Sequence, residues 1–315
     1  MIPVIEVSAD VEAPSAFEPA SGLGLHADGR LLDTAPHRLG RLIATPVTTP
    51  IDVLQQIYRR DGYVWLKGLL DRRYVLDFRA RAFTELGGLT RPRTPPGLGL
   101  ASTTLRPKDQ VNRELMAFVR SAAFEGFCAQ ASLVRMMDHF LGGLSYLHKR
   151  KILRYTLPQT GVATPAHYDL IYLRGGTDRV VTAWIPIGDT PAIMGGLCYL
   201  EGSHRRGVEL EAEFSAKAGT LTPEERISAY NRNMTEGGWV SKNLPEMAER
   251  FDTRWLIADY EAGDVVLHSP YMIHASTTNE DTEGRIRLST DIRYQNVNDE
   301  IDARWGNHWS LDDML

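Results

Sequence analysis

Four residues in two clusters have the types and order to do chemistry together. His167 and Asp169 stand in His167-Tyr168-Asp169. His274 follows 105 residues after that aspartate, and Arg285 eleven residues further on. Two imidazoles and one carboxylate are the ligand set of a mononuclear non-haem Fe(II) centre that keeps open positions. An arginine just beyond the second histidine suits the far carboxylate of a small dicarboxylic acid, because its planar fork grips a carboxylate with two parallel hydrogen bonds. The four residues predict an iron centre that consumes a 2-oxo acid to activate O2.

Each motif needs its context. With nine histidines and 40 acidic residues, a His-x-acid pair arises about once by chance. His26-Ala27-Asp28 is such a pair; Gly29 follows it, so Asp28-Gly29 reads as a turn. His167-Tyr168-Asp169 opens the run Leu170-Ile171-Tyr172-Leu173. In a strand, residues two apart share a face, so both side chains could enter one site. A surface strand with the pair facing water reads equally well from this motif alone. His268 and His274 compete for the third ligand position. Pro270 between them breaks strand register, and His274 ends an apolar run where a strand should end. His274 is therefore the expected ligand and His268 a core or supporting residue. Arg285-Ile286-Arg287-Leu288-Ser289-Thr290-Asp291 alternates strictly. Either Arg285, Arg287, Ser289 and Asp291 face water, or they line a barrel interior. In the second case an arginine needs an anion, and Ser289 adds a hydroxyl. Alternation leaves both readings open.

The elements that must position these residues divide the chain. Residues 1–50, rich in Pro, Gly, Ala and Thr, read as an irregular N-terminal arm. From Ile51 the pattern is helical up to Asp61-Gly62, then Tyr63–Leu66 is a short strand. Asp71 reads as the cap of a helix from Arg72 to Leu86. Residues 91–112 read as a long loop, with helices over about 113–127 and 131–141. From Lys151 onward short β-type runs dominate: 151–156, 167–172, 180–187, 197–200, 254–257, 263–268 and 285–294. Helices followed by many short strands predict an α+β fold, and a jelly-roll or cupin-like barrel fits the strand half. The polar insertion 205–252 lies between the two halves of the site, where a lid is expected. Residues 51–315 read as a single domain.

Composition narrows the classes. The formal net charge is −5 and the basic residues are scattered, so no nucleic-acid partner is expected. The densest basic cluster, His148-Lys149-Arg150-Lys151, reads as a solvated loop. Cys128 and Cys198 are the two cysteines, too few for a disulfide framework, which favours a reducing, cytoplasmic setting. The start, Met1-Ile2-Pro3-Val4, lacks the pattern of a signal peptide, and no apolar run reaches membrane-spanning length.

The chain resembles the phytanoyl-CoA dioxygenase family of Fe(II)- and 2-oxoglutarate-dependent oxygenases. Four blocks carry the resemblance: Tyr58 to Val64; His167-Tyr168-Asp169; Gly195-Gly196-Leu197 with Gly202-Ser203-His204 and Gly207; and Gly263-Asp264, His274-Ala275-Ser276 and Arg285 to Tyr294. Glu201 stands where the family usually has proline. The resemblance covers about residues 51–295. It implies a double-stranded β-helix with an N-terminal helical layer. It also implies Fe(II) on His167, Asp169 and His274, and O2 and 2-oxoglutarate as cosubstrates. Arg285 would anchor the distal carboxylate, Ser289 would assist, and Trp184 would line the cosubstrate pocket, although plain core packing explains Trp184 as well. A residue among Leu153, Arg154 and Tyr155 should also reach the cosubstrate. Related halogenases have Gly or Ala in place of this aspartate, so Asp169 argues against halogenation.

The expected activity is oxidation, chiefly hydroxylation, of an unactivated C–H bond of a small organic molecule such as a natural-product intermediate. Succinate and CO2 are the expected by-products. Two other readings compete: a non-catalytic jelly-roll small-molecule-binding protein, and a cupin metalloenzyme independent of 2-oxo acids. No nucleotide cradle points to a CoA thioester.

Overall fold

The structure is a computed structural model that describes residues 24–309 except Leu105, Arg174 and residues 219–238. It opens with a hairpin of β1 (His26–Ala27) and β2 (Arg30–Leu31). Asp28 and Gly29 take φ of 49° and 75°, the left-handed pair that a two-residue hairpin demands. Asp28-Gly29 is thus the turn of this hairpin. β3 (Leu39–Arg41) and β4 (Ala44–Thr45) follow.

The helical layer comes next. α1 (Ile51–Asp61) ends at Gly62, whose φ of 80° lets its N–H reach Tyr58 O. After β5 (Tyr63–Leu66), α2 (Arg72–Glu85) begins where Asp71 Oδ1 accepts the Tyr74 N–H at 2.7 Å, a cap worth about 1 kcal/mol. The helix expected over 113–127 is two helices, α3 (Lys108–Phe118) and α4 (Ala122–Cys128). Ser121 breaks the run because its hydroxyl accepts the Phe124 N–H and starts the second. α5 (Ala131–Leu141) completes the layer.

The strand half holds β6 (Ser145–Leu147), β7 (Ile152–Thr156), the four-residue α6 (Leu170–Leu173), β8 (Val181–Pro186) and β9 (Leu197–Leu200). α7 (Ser203–Ala218) opens the insertion and α8 (Leu244–Arg250) lies near its end. Residues 219–238 of the expected lid, with Tyr230, Asn231 and Asn233, lie outside the described residues. β10 (Trp255–Ile257), β11 (Val265–His268), β12 (His274–Ser276) and β13 (Arg287–Asn296) close the chain.

These strands form two main sheets. The smaller runs β12-β9-β10-β3; the larger runs β4-β5-β11-β8-β13-β6, with β7 also paired to β13. The expected irregular arm is therefore corrected for residues 24–50: β3 pairs in parallel with β10, and β4 with β5. Their partners supply the backbone hydrogen bonds that an exposed arm would leave to water.

Period-two alternation sorts the side chains into layers. On the larger sheet Val64, Ala183, Ile185, Val265, Leu267, Leu288 and Ile292 face the helices and join Phe78, Phe83, Phe124 and Phe127 in the main core. The opposite faces of the two sheets meet over Tyr63, Trp65, Trp184, Tyr199, Leu256, Tyr260 and Val266. Outside the smaller sheet, Cys198, Leu200, Trp255 and Ile257 pack with Leu244 and Met247 of α8. The fold is α+β, and the space between the facing sheets holds the polar residues of interest. Cys128 and Cys198 are buried free thiols. Among the described residues no helix is long and apolar enough to cross a membrane.

Candidate active site

His167 and His274 are neighbours through their backbones. Each donates its N–H to the other's carbonyl, at 3.0 and 2.9 Å. This bridge adds residues 166–167 to the edge of β12, and Ala166 in turn bridges Ser241. The strand expected over 167–172 stops at once. Leu170 N–H turns to Pro270 O, and Asp169 O accepts the Tyr172 N–H to open α6. The backbone thus leaves the smaller sheet straight after His167 and carries Asp169 across to the larger one. His167, Asp169 and His274 are all buried, with one ligand atom from each within 4.8 Å of the others.

The hydrogen bonds fix what each ligand offers. His167 Nδ1 lies 2.8 Å from Pro165 O, and His274 Nδ1 2.9 Å from Met272 O. A carbonyl can only accept, so both Nδ1 atoms carry the proton and both Nε2 atoms keep a lone pair for a metal. Burial lowers the pKa of His167, and lowers His274 well below the usual imidazole value, with the neighbouring His167 and His268 adding to the effect. Both rings are therefore neutral near pH 7, as ligation requires. Asp169 meets three donors. Arg293 Nη2 donates to Oδ1 at 2.8 Å, the Thr182 hydroxyl donates to Oδ2, and His268 Nε2 lies 3.3 Å from Oδ2. Burial pushes this carboxyl upward; Arg293, then His268 and His274, overcome that and hold it well below the usual carboxylate range. The Tyr199 hydroxyl sits 3.1 Å from His268 Nδ1, so His268 supports Asp169 from behind.

The inner face of β13 is buried. Arg287, Ser289, Asp291 and Arg293 are at most 5% exposed, so of the two readings of the alternation the interior one holds from Arg287 on. Arg285 lies two residues before the strand. It bridges Leu100, and its guanidinium is taken by Asp281 at 2.6 Å and Glu283 at 3.4 Å, with the side chain 36% exposed. Arg287 is 3% exposed. It donates through Nε and Nη2 to the Thr156 hydroxyl, at 3.2 and 2.7 Å. Among the described residues no carboxylate pairs with it, and burial lowers its pKa to about 10. Among the described residues the Ser289 hydroxyl beside it is buried without a partner. Trp184 is fully buried, faces Asp291 across the ladder and packs on Tyr260 at 4.6 Å between centroids. Arg154 pairs with Ser289 in register and donates from Nε to Asp291 at 2.8 Å.

Three contributors escaped the sequence reading: Thr156, Thr182 and Arg293. Carrying the alternation of β13 one step further would have found Arg293. The basic cluster at 148–151 is another correction. His148, Arg150 and Lys151 are buried, because Gln295, the Trp305 ring and Glu125 receive them.

The donor set fits a dication with open positions: two neutral imidazoles, one ionised carboxylate, and a water-poor space bounded by both sheets. Among the described residues, the neighbours of that space leave the Arg287 guanidinium without a carboxylate and the Ser289 hydroxyl without a partner.

Known proteins resemble the chain over most of its length. Residues 58–287 match the family described as phytanoyl-CoA dioxygenase. The 1-deoxypentalenic acid 11-beta-hydroxylase of Streptomyces arenae is 27% identical over 258 residues, covering 80% of this chain and 83% of the relative, and its counterpart from Streptomyces exfoliatus is equally similar over 260 residues. Among solved structures, the epimerase SnoN in complex with Fe3+, alpha ketoglutarate and nogalamycin RO matches at a TM-score of 0.53 and 17% identity, over 80% of this chain and 85% of that one. The carbocyclase SnoK from nogalamycin biosynthesis also matches at 0.53 and 17%, over 82% and 89%. These two likenesses speak for the fold. With the family matched over most of its length and the two-histidine, one-carboxylate cluster assembled in its core, the chain belongs to the phytanoyl-CoA dioxygenase family and is a non-haem Fe(II)- and 2-oxoglutarate-dependent oxidoreductase.

Proposed function

We propose that the facing sheets form a double-stranded β-helix and that the site between them hydroxylates an unactivated C–H bond of a small organic molecule. His167 Nε2, His274 Nε2 and the Asp169 carboxylate would hold Fe(II). The observation that carries the cosubstrate reading is Arg287, buried with one hydroxyl partner beside the unpartnered Ser289 hydroxyl. A buried guanidinium without a counter-ion is costly, and a carboxylate would satisfy it together with Ser289 and Thr156. We therefore assign the distal carboxylate of 2-oxoglutarate to Arg287. Arg285, which the eleven-residue spacing suggested, is already committed to Asp281. Trp184 and Tyr260 wall this end of the space and exclude water.

With iron, 2-oxoglutarate and O2 bound, the cofactor set supplies the oxidising power and releases succinate and CO2. The chain's own work is ligation, orientation and desolvation. Asp169 stays ionised because Arg293, Thr182 and His268 solvate it in place of water. The Nδ1 bonds to Pro165 and Met272 hold both imidazoles in one tautomer. Asp169 occupies the position that a halide would need, which favours hydroxylation over halogenation. The hydroxylase relatives support C–H hydroxylation of a small natural-product-like substrate; their names describe action on 1-deoxypentalenic acid.

The test is turnover of the anaerobically reconstituted protein once O2 is admitted. Succinate should form only with 2-oxoglutarate present, and Asp169→Ala should abolish it. Iron binding without any succinate would return the non-catalytic jelly-roll protein and the 2-oxo-acid-independent cupin enzyme to the front.

A further inference from the structure

Arg293 lies behind the metal-ligand cluster, at the far end of β13 from Arg287. Its side chain is 4% exposed. Nη2 donates to Asp169 Oδ1 at 2.8 Å, while Nε and Nη1 are buried with no hydrogen-bond partner. Among the described residues Asp169 is its one carboxylate. Among the described residues, the guanidinium is held by the Asp169 oxygen in front and the Trp305 ring beside it, 5.0 Å from the guanidinium carbon to the ring centroid.

Trp305 is itself anchored to the chain that follows Asp169. It is 2% exposed, and its Nε1 donates to Tyr172 O at 3.0 Å. The same C-terminal segment grips the next residues: Asp302 Oδ2 accepts the Gly175 N–H at 3.0 Å, and Glu300 O accepts the Thr177 N–H at 2.9 Å. Asp169, α6, Trp305 and Arg293 thus form one closed circuit of contacts. Arg293 and Trp305 both lie past residue 287, where the family match ends.

We infer that Arg293, held in place by Trp305, is the positioning residue that fixes the Asp169 carboxylate in one orientation for the metal. The inference rests on the iron-site reading above. Two effects oppose each other when Arg293 is removed. Losing a cation strengthens the attraction of the site for a dication. Losing the clamp frees a carboxylate that must present one oxygen at one angle. Partners that orient metal ligands are worth about 10- to 100-fold in metal affinity, so the clamp wins.

The experiment is anaerobic titration of the full chain with Fe(II), and in parallel with Co(II), whose visible bands report the coordination geometry. It compares wild type, Arg293→Met, Arg293→Lys and Trp305→Leu, each with its thermal midpoint. Arg293→Met should bind Fe(II) about 10-fold or more weakly and alter the Co(II) bands. Arg293→Lys should recover part of both, and Trp305→Leu should weaken binding several-fold with the same spectral change. Variants that melt earlier yet keep the wild-type Fe(II) affinity and Co(II) spectrum would reduce Arg293 to a fold-stabilising role and overturn the inference, as would tighter Fe(II) binding. If Arg293→Met does not fold, Trp305→Leu decides by the same two readouts, because it keeps the guanidinium and removes only its support. A wild type that binds neither metal would instead sink the iron-site reading, and this inference with it.

Discussion

The two ends of β13 each bury an arginine on the same face, and the protein meets them differently. At the C-terminal end Arg293 has a built-in counter-ion, Asp169, and an aromatic support, Trp305. At the N-terminal end Arg287 has the Thr156 hydroxyl and no carboxylate among the described residues. Arg79 offers a third solution: it is buried, yet donates to the carbonyls of Gly97, Ile187 and Ile286 and so bolts α2 to the sheet. A buried cation whose donors are spent on the protein serves the architecture. A buried cation left with one hydroxyl is preorganised for an anion that arrives from solution.

This contrast breaks most visibly in stability. Arg293→Met strands a buried carboxylate and should cost the apoprotein about 3–5 kcal/mol in urea denaturation. Arg287→Met removes an unpaired buried charge and should leave apoprotein stability unchanged or slightly raised. Equal destabilisation by both would erase the distinction. The Arg293 end should also be acid-labile. His148 packs there against Gln295 and Trp305, and burial lowers its pKa to about 4. The unfolded imidazole titrates near 6.5, so between those values the unfolded state binds more protons. Stability is therefore lost as pH falls through that window, by up to about 3 kcal/mol from this residue. His148→Gln should flatten the slope of stability against pH there, and an unchanged slope would remove His148 as a cause.

At the Arg287 end the effects belong to ligand binding. Arg287→Ala should weaken 2-oxoglutarate binding about 30- to 100-fold, the worth of a charge-assisted bond. Ser289→Ala should cost less, about 3- to 10-fold, with no loss of apoprotein stability because its hydroxyl has no protein partner. Arg285→Ala should be the smallest: the pair with Asp281 is partly exposed, so its loss should cost about 1 kcal/mol or less and leave 2-oxoglutarate affinity within a few-fold of wild type. Titrating the three variants in parallel ranks them.

How much of this was legible depends on how local the cause is. The cluster of His167, Asp169 and His274 could be picked out because residue type and order agree, and Gly62 and Asp71 marked their helix boundaries by local rules. Arg287 could not be separated from Arg285, because both share strand parity. What separates them is where β13 begins, set by the turn around Asp281 and Gly284 and the bridge to Leu100. His167-Tyr168-Asp169 was expected as strand, but the tertiary bond from Leu170 N–H to Pro270 O overrides the apolar run and starts a helical turn. β3 was missed because three residues carry little propensity signal, and their partner, β10, is over 200 positions away.

The central claim is that Arg287, in the buried space between the two sheets, receives the carboxylate of 2-oxoglutarate beside an iron held by His167, Asp169 and His274. Anaerobic titration of the Fe(II)-loaded protein with 2-oxoglutarate, followed by the visible charge-transfer band of the chelate, tests it directly. The account predicts a saturable band in the wild type, the same band at nearly the same concentrations in Arg285→Ala, and a band that needs far more 2-oxoglutarate in Arg287→Ala. A large shift in Arg285→Ala with wild-type behaviour in Arg287→Ala would contradict it.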